Sequence, residues 1–97
     1  FRVGAREGED AVLTHPSVSE AAVIGLPDPQ WGEVVAAVVV PLEGMVVDAS
    51  QLQAHCAERI AGYKKPRRLI FSKALPRNLA GKVVKVKLAA LFADGAD

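Results

Sequence analysis

The sequence contains one cysteine, Cys56, so no internal disulfide can form, and a reducing, cytoplasmic setting fits it. Cys56 falls four residues after Leu52 and four before Ile60, which reads as a buried helix position rather than a reactive thiol. Aromatic residues make up only 5%, so Val, Ala and Leu must fill the core. No apolar run is long enough to cross a bilayer, and no signal peptide is visible. The longest candidate, residues 34–42, contains Pro41 and falls well short of the ~20 residues a spanning helix needs. The two histidines, His15 and His55, have no metal-ligand spacing around them, and no Ser-His-Asp or Cys-His arrangement can be built. Repeats and low-complexity stretches are also absent.

Acidic residues are missing from one region. Residues 1–58 carry nine acidic side chains, with Arg2 and Arg6 as the only bases, whereas residues 59–87 carry ten Lys and Arg and no acid. The net charge of +1 argues against a general nucleic-acid binder. Any anion-facing surface belongs to the second half, although charge alone reads more readily as a solvated basic surface.

With 97 residues, just over half of them hydrophobic, the chain makes one ordered domain with one modest core. Residues 5–14 read as a short helix, with Glu7, Glu9 and Asp10 near its positive end and Pro16 beyond it. Residues 19–26 read as a strand closed by Pro27-Asp28-Pro29. Residues 34–40 form a continuous apolar run, expected as a strand covered on both faces and paired antiparallel with the first. A helix capped by Asp48 or Ser50 runs to about Ile60, with Gly62 as its stop. Residues 68–72 form a third strand, with Leu69 and Phe71 on its apolar side. Residues 75–82 are a loop, and residues 83–93 form a last helix with Leu88, Leu91 and Phe92 inward and Lys85 and Lys87 outward. The order predicts an α+β fold: a small, mainly antiparallel three-stranded sheet with helices packed on it, plus a short hairpin-like loop carrying Lys82.

Three segments bear chemistry. In PRNLAGK, residues 76–82, Gly81 can adopt positive φ and Lys82 extends a cation suited to a carboxylate or phosphoryl oxygen. It lacks the spacing of a phosphate-binding P-loop, and taken alone it reads more readily as a turn with an exposed lysine. In GYKKPRR, residues 62–68, Tyr63 can stack on a base or pack inward, and Lys65 and Arg67 can pair with phosphates. In PDPQWGE, residues 27–33, Trp31 is either a packing anchor or a flat surface beside a ligand.

In that order, with RVGAREGEDAVLTHPSV at the start, EAAVIGLPDPQWGE, AERIAGYKKP and LPRNLAGKVVK resemble the C-terminal domain of the acyl-adenylate-forming enzymes. That family includes acyl-CoA synthetases, firefly luciferase and peptide-synthetase adenylation domains. The likeness covers nearly the whole chain. It implies a mobile C-terminal lid, residues 1–97, whose ATP- and acid-binding N-terminal domain and hinge lie outside this sequence. An acid would attack ATP to give acyl-AMP and pyrophosphate, and a thiol would then displace AMP.

By the same resemblance, Lys82, preceded by Gly81, is the lysine that contacts the carboxylate and AMP-side oxygens during adenylation. Trp31, Tyr63, Lys65 and Arg67 match positions near the coenzyme A nucleotide, and Trp-Gly-Glu with Tyr-Lys-Lys-Pro points to the CoA-ligase branch. Implied partners are the missing domain, a carboxylic acid, ATP and CoA, with Mg2+ held by the missing domain and no nucleic acid or membrane span involved. The piece alone is expected to be inactive. Gly8 departs from the family, which has Ile or Val there, and takes an apolar anchor from the first helix. The competing readings are loading of a carrier protein and a non-enzymatic anion-binding module.

Overall fold

The computed structural model describes residues 5–60 and 66–93. Six elements follow one another: α1 (Ala5–Leu13), β1 (Val18–Asp28), β2 (Gly32–Pro41), α2 (Ala49–Ala57), β3 (Arg68–Phe71) and α3 (Lys85–Ala93). The sheet order is β1-β2-β3. β1 and β2 pair antiparallel from Val18↔Pro41 to Asp28↔Gly32. β3 lies parallel to β2, from Ala36↔Arg68 to Val39↔Phe71. A parallel neighbour requires a crossover rather than a hairpin, and α2 lies in that connection. The fold is therefore α+β, with a mixed but mostly antiparallel sheet.

The apolar run of β2 is the centre of the molecule. Every residue from 34 to 40 is buried. Because side chains alternate, Val35, Ala37 and Val39 pack on one face with Val12, Val23, Leu52 and Cys56. Val34, Ala36, Val38 and Val40 pack on the other with Ile70, Leu75, Leu88 and Phe92. Helices α1 and α2 cover the first face and α3 the second. Leu52 and Leu88 are fully buried, and each such side chain contributes about 1.5–3 kcal/mol from burial. Asp48 caps α2 by accepting a bond from Gln51 N at 3.0 Å, which decides between the two expected caps. The expected stop at Gly62 lies outside the described residues.

Four local expectations are corrected. β1 does not stop at Leu26 but runs through Pro27, which pairs with Glu33. Val23 turns its N–H and C=O away from β2, towards Glu9 and Lys85. Pro27, an even number of residues on, faces the same open edge, where a missing N–H removes no ladder bond. In β3, Ile70 is the buried residue, packed on the α3 side, while Leu69 is partly buried on the opposite face and Phe71 is 39% exposed. Helix α3 begins at Lys85, since Val83 pairs with Arg77 and Val84 N bonds Pro76 O at 3.0 Å. Lys85 does not simply point outward. Its ammonium reaches Val23 O at 2.9 Å and Glu9 Oε2 at 3.3 Å, closing the edge of β1.

Gly8 has a different part from the lost anchor expected of it. It is buried, and a Cβ there would stand 3.3 Å from both Val23 methyls. The missing side chain lets α1 lie directly on β1.

Candidate functional site

Lys82 sits on a hairpin between Leu75 and α3. Arg77 pairs with Val83, and Asn78 N donates to Lys82 O at 2.9 Å. The three residues between Asn78 and Lys82 turn the chain, closed by Gly81 N to Asn78 O at 2.9 Å. Gly81 has φ 85°, the left-handed residue this kind of hairpin requires. Asn78 Oδ1 accepts from Ala80 N at 2.9 Å and Lys82 N at 3.0 Å. Both backbone polar groups of Lys82 are thereby fixed, while its side chain is exposed. Among the described residues, none pairs with its ammonium. The hairpin thus presents a cation with an anchored base and a free head.

Arg77 ties this hairpin to the sheet. Its Nη1 donates to Gly81 O at 2.8 Å, and its Nη2 donates to Glu20 Oε1 on β1. Glu20 pairs with Val40, at the end of β2 remote from Gly32. Asn78, Arg77 and Glu20 were not singled out from sequence. Asn78 carried a local signal, since Asn favours such turns. The Arg77–Glu20 contact spans 57 positions and has no local signal at all.

Trp31 and Arg67 are brought together at the other end of the sheet. Asp28 Oδ1 accepts from Gln30 N at 2.8 Å and Trp31 N at 2.9 Å, shaping the β1–β2 turn. The indole is 57% exposed, so it is no packing anchor. The Arg67 guanidinium lies over it, 4.6 Å from the ring centroid. Arg67 N donates to Val35 O at 2.9 Å, fixing its backbone beside β2. An exposed aromatic face with a cation on it suits a phosphorylated, flat ligand. Tyr63 and Lys65 lie outside the described residues.

The anchors of the two groups are spread along the sheet: the Trp31 turn precedes Gly32, Arg67 lies beside Val35, and Glu20, which ties the hairpin, pairs with Val40. From Gly32 to Val40 the strand spans roughly 25 Å at about 3.3 Å per residue. The sheet thus carries a lone cation on a hairpin at one end and an aromatic–cation pair at the other.

The remaining titratable residues do not join either group. His15 and His55, which the spacing kept apart, meet at 5.1 Å between ring centroids. His55 Nε2 is hydrogen-bonded to Thr14 Oγ1 at 2.6 Å. Burial holds its pKa below the usual histidine value, and the charges of Arg59 and His15 add to this against Glu58. Cys56 is a buried free thiol whose pKa burial pushes up, so it is a poor nucleophile. Among the described residues, no group of three or more His, Cys, Asp or Glu could hold a metal ion, and no helix is long and apolar enough to cross a membrane.

A small α+β unit with a glycine–lysine hairpin at one sheet end and an aromatic–arginine pair at the other is the class of domain that the ordered motifs resemble. The chain belongs to the family described as the AMP-binding enzyme C-terminal domain, whose model matches residues 7–82. It is 46% identical over 82 residues to a long-chain-fatty-acid–CoA ligase of Mycobacterium tuberculosis, covering 84% of this chain and 16% of that protein. It is 43% identical over 86 residues to a feruloyl-CoA synthase of Amycolatopsis, covering 89% and 18%. Among solved structures, apo MatB from Rhodopseudomonas palustris superposes with a TM-score of 0.92 at 38% identity, covering all of this chain and 19% of that one. The chain thus spans less than a fifth of these relatives.

Proposed function

We propose that this domain is the mobile lid of an AMP-forming acid–thiol ligase of the acyl- or aryl-CoA synthetase type. In the first half-reaction a carboxylate oxygen attacks the α-phosphorus of ATP, forming acyl-AMP as pyrophosphate leaves. In the second, the CoA sulfur attacks the acyl carbon and AMP leaves. Mg2+ would enter with ATP on the rest of the enzyme.

Lys82 serves the first step. Negative charge shifts among the carboxylate, the α-phosphoryl oxygens and the leaving pyrophosphate, and a positioned ammonium stabilises that distribution. Its free head and anchored base suit this task, and Gly81 permits the turn that projects it. Trp31 and Arg67, with Tyr63 and Lys65, serve the second step by taking the CoA nucleotide and its phosphates. The CoA ligase and CoA synthase names of the relatives support CoA rather than a carrier protein as acceptor. A buried free thiol at Cys56 accords with a reducing, cytoplasmic setting.

The observation that carries the reading is the placement of the two groups at opposite ends of one sheet. Their backbone anchors lie at different points along β2, Arg67 at Val35 and the hairpin's tie Glu20 opposite Val40, so a rotating lid can present each group in turn.

The test is Lys82→Ala in the full-length protein. Acid-dependent ATP–pyrophosphate exchange should be abolished, while thioester formation from preformed acyl-AMP should be largely spared. Equal loss of both steps would sink the role given to Lys82.

A further inference from the structure

We propose that Arg77 and Glu20 form a clamp that sets the angle of the hairpin on the sheet, making Arg77 a positioning residue for Lys82. The claim rests on the adenylation reading of Lys82. It goes beyond that reading in naming what aims the lysine.

The bonds made by Asn78 lie within the hairpin. They fix its shape and leave its attitude to the sheet undetermined. At its base, Leu75 and Val83 pack with α3 and β2. Nearer the tip, the tie to the sheet among the described residues is Arg77. One nitrogen of its fork holds the carbonyl of Gly81, the residue before Lys82, and another holds Glu20 on β1. A planar guanidinium can serve two acceptors in fixed relative positions, which a lysine ammonium on a flexible stem cannot reproduce. Glu20 also offsets the charge of Arg77, whereas Lys82 has no paired acid among the described residues.

The Arg77 and Glu20 side chains are 44% and 38% exposed. An ion pair that open contributes little to global stability. Its consequence is therefore local geometry, and this separates a clamp from an ordinary structural contact.

The experiment compares Arg77→Ala, Arg77→Lys, Lys82→Ala and the Arg77→Ala/Lys82→Ala double variant in the full-length protein. Both half-reactions and amide hydrogen exchange are measured. Arg77→Ala should slow adenylation on the order of 10–100-fold, the scale of a misplaced catalytic group, with the thioester step within about twofold of the parent. Exchange at Gly81 and Lys82 should quicken about tenfold, with the β2 amides unchanged. Arg77→Lys should recover only part of the rate, and Arg77→Ala should add nothing to Lys82→Ala. Unchanged hairpin exchange, full recovery by lysine, equal loss in both half-reactions or full additivity with Lys82→Ala would each overturn the clamp. If Lys82→Ala itself spares adenylation, the reading of Lys82 falls on that result. Hairpin exchange alone then decides whether the clamp exists.

Discussion

At Gly81 a φ of 85° is combined with open space where a Cβ would stand. An alanine there meets no neighbour, so its cost is backbone strain alone, about 1–2 kcal/mol. The strain falls on the turn that projects Lys82. Gly81→Ala is therefore expected to lower the ATP–pyrophosphate exchange rate, and Gly81→Asn to lower it less, because Asn tolerates the left-handed region. An alanine variant as active as the parent would show that the turn does not need this conformation. The glycine's role was legible in the sequence, since a Gly before a Lys in a polar loop invites positive φ. Arg77 was not legible, because its meaning depends on Glu20, which folding brings near from another strand. Trp31, taken alone, read better as a packing anchor, and its exposure overturns that reading.

Helix α1 shows how an element's contact can be set by what a residue lacks. Gly8 looked like a missing apolar anchor, yet a Cβ there would stand 3.3 Å from both Val23 methyls, which leaves no room for a large side chain. Gly8→Ile, the family's usual residue type, is expected to destabilise the domain by about 1–3 kcal/mol through overpacking, less a small gain in helix propensity. Gly8→Ala should be near neutral, since about 1 kcal/mol of propensity offsets the crowding. Denaturant midpoints at a constant m-value would measure both, and a more stable Gly8→Ile would contradict this packing. The type of each of the six elements could be read from local pattern and punctuation. Their ends were less legible. The length of β1 depends on its being an edge strand, and the start of α3 depends on a hairpin that uses Val83 first. The continuous apolar run of β2 correctly indicated two covered faces. In β3 the core takes Ile70, on the α3 side, whereas Phe71 at the strand's end stays exposed, which the alternation alone does not reveal.

Across the whole molecule, one sheet holds two chemically distinct groups apart, and the basic second half of the chain supplies the cations of both. Each end should therefore be separable in kinetics. Lys65→Ala with Arg67→Ala is expected to raise KM for CoA, with a loss of about 2–4 kcal/mol for two charge-assisted phosphate contacts, and to leave adenylation nearly unchanged. An unchanged KM for CoA would remove these residues from the CoA site. The ordered motifs made the pairing of Lys82 with one step and Arg67 with the other an expectation of resemblance. Where each group is anchored along β2 needed the sheet register, which no local spacing reveals. The most direct measurement runs the two half-reactions side by side in full-length Lys82→Ala and Arg67→Ala. The account predicts opposite failures: Lys82→Ala loses adenylation and keeps thioester formation from preformed acyl-AMP, while Arg67→Ala keeps adenylation and weakens CoA use. Parallel loss of both steps in both variants would contradict it.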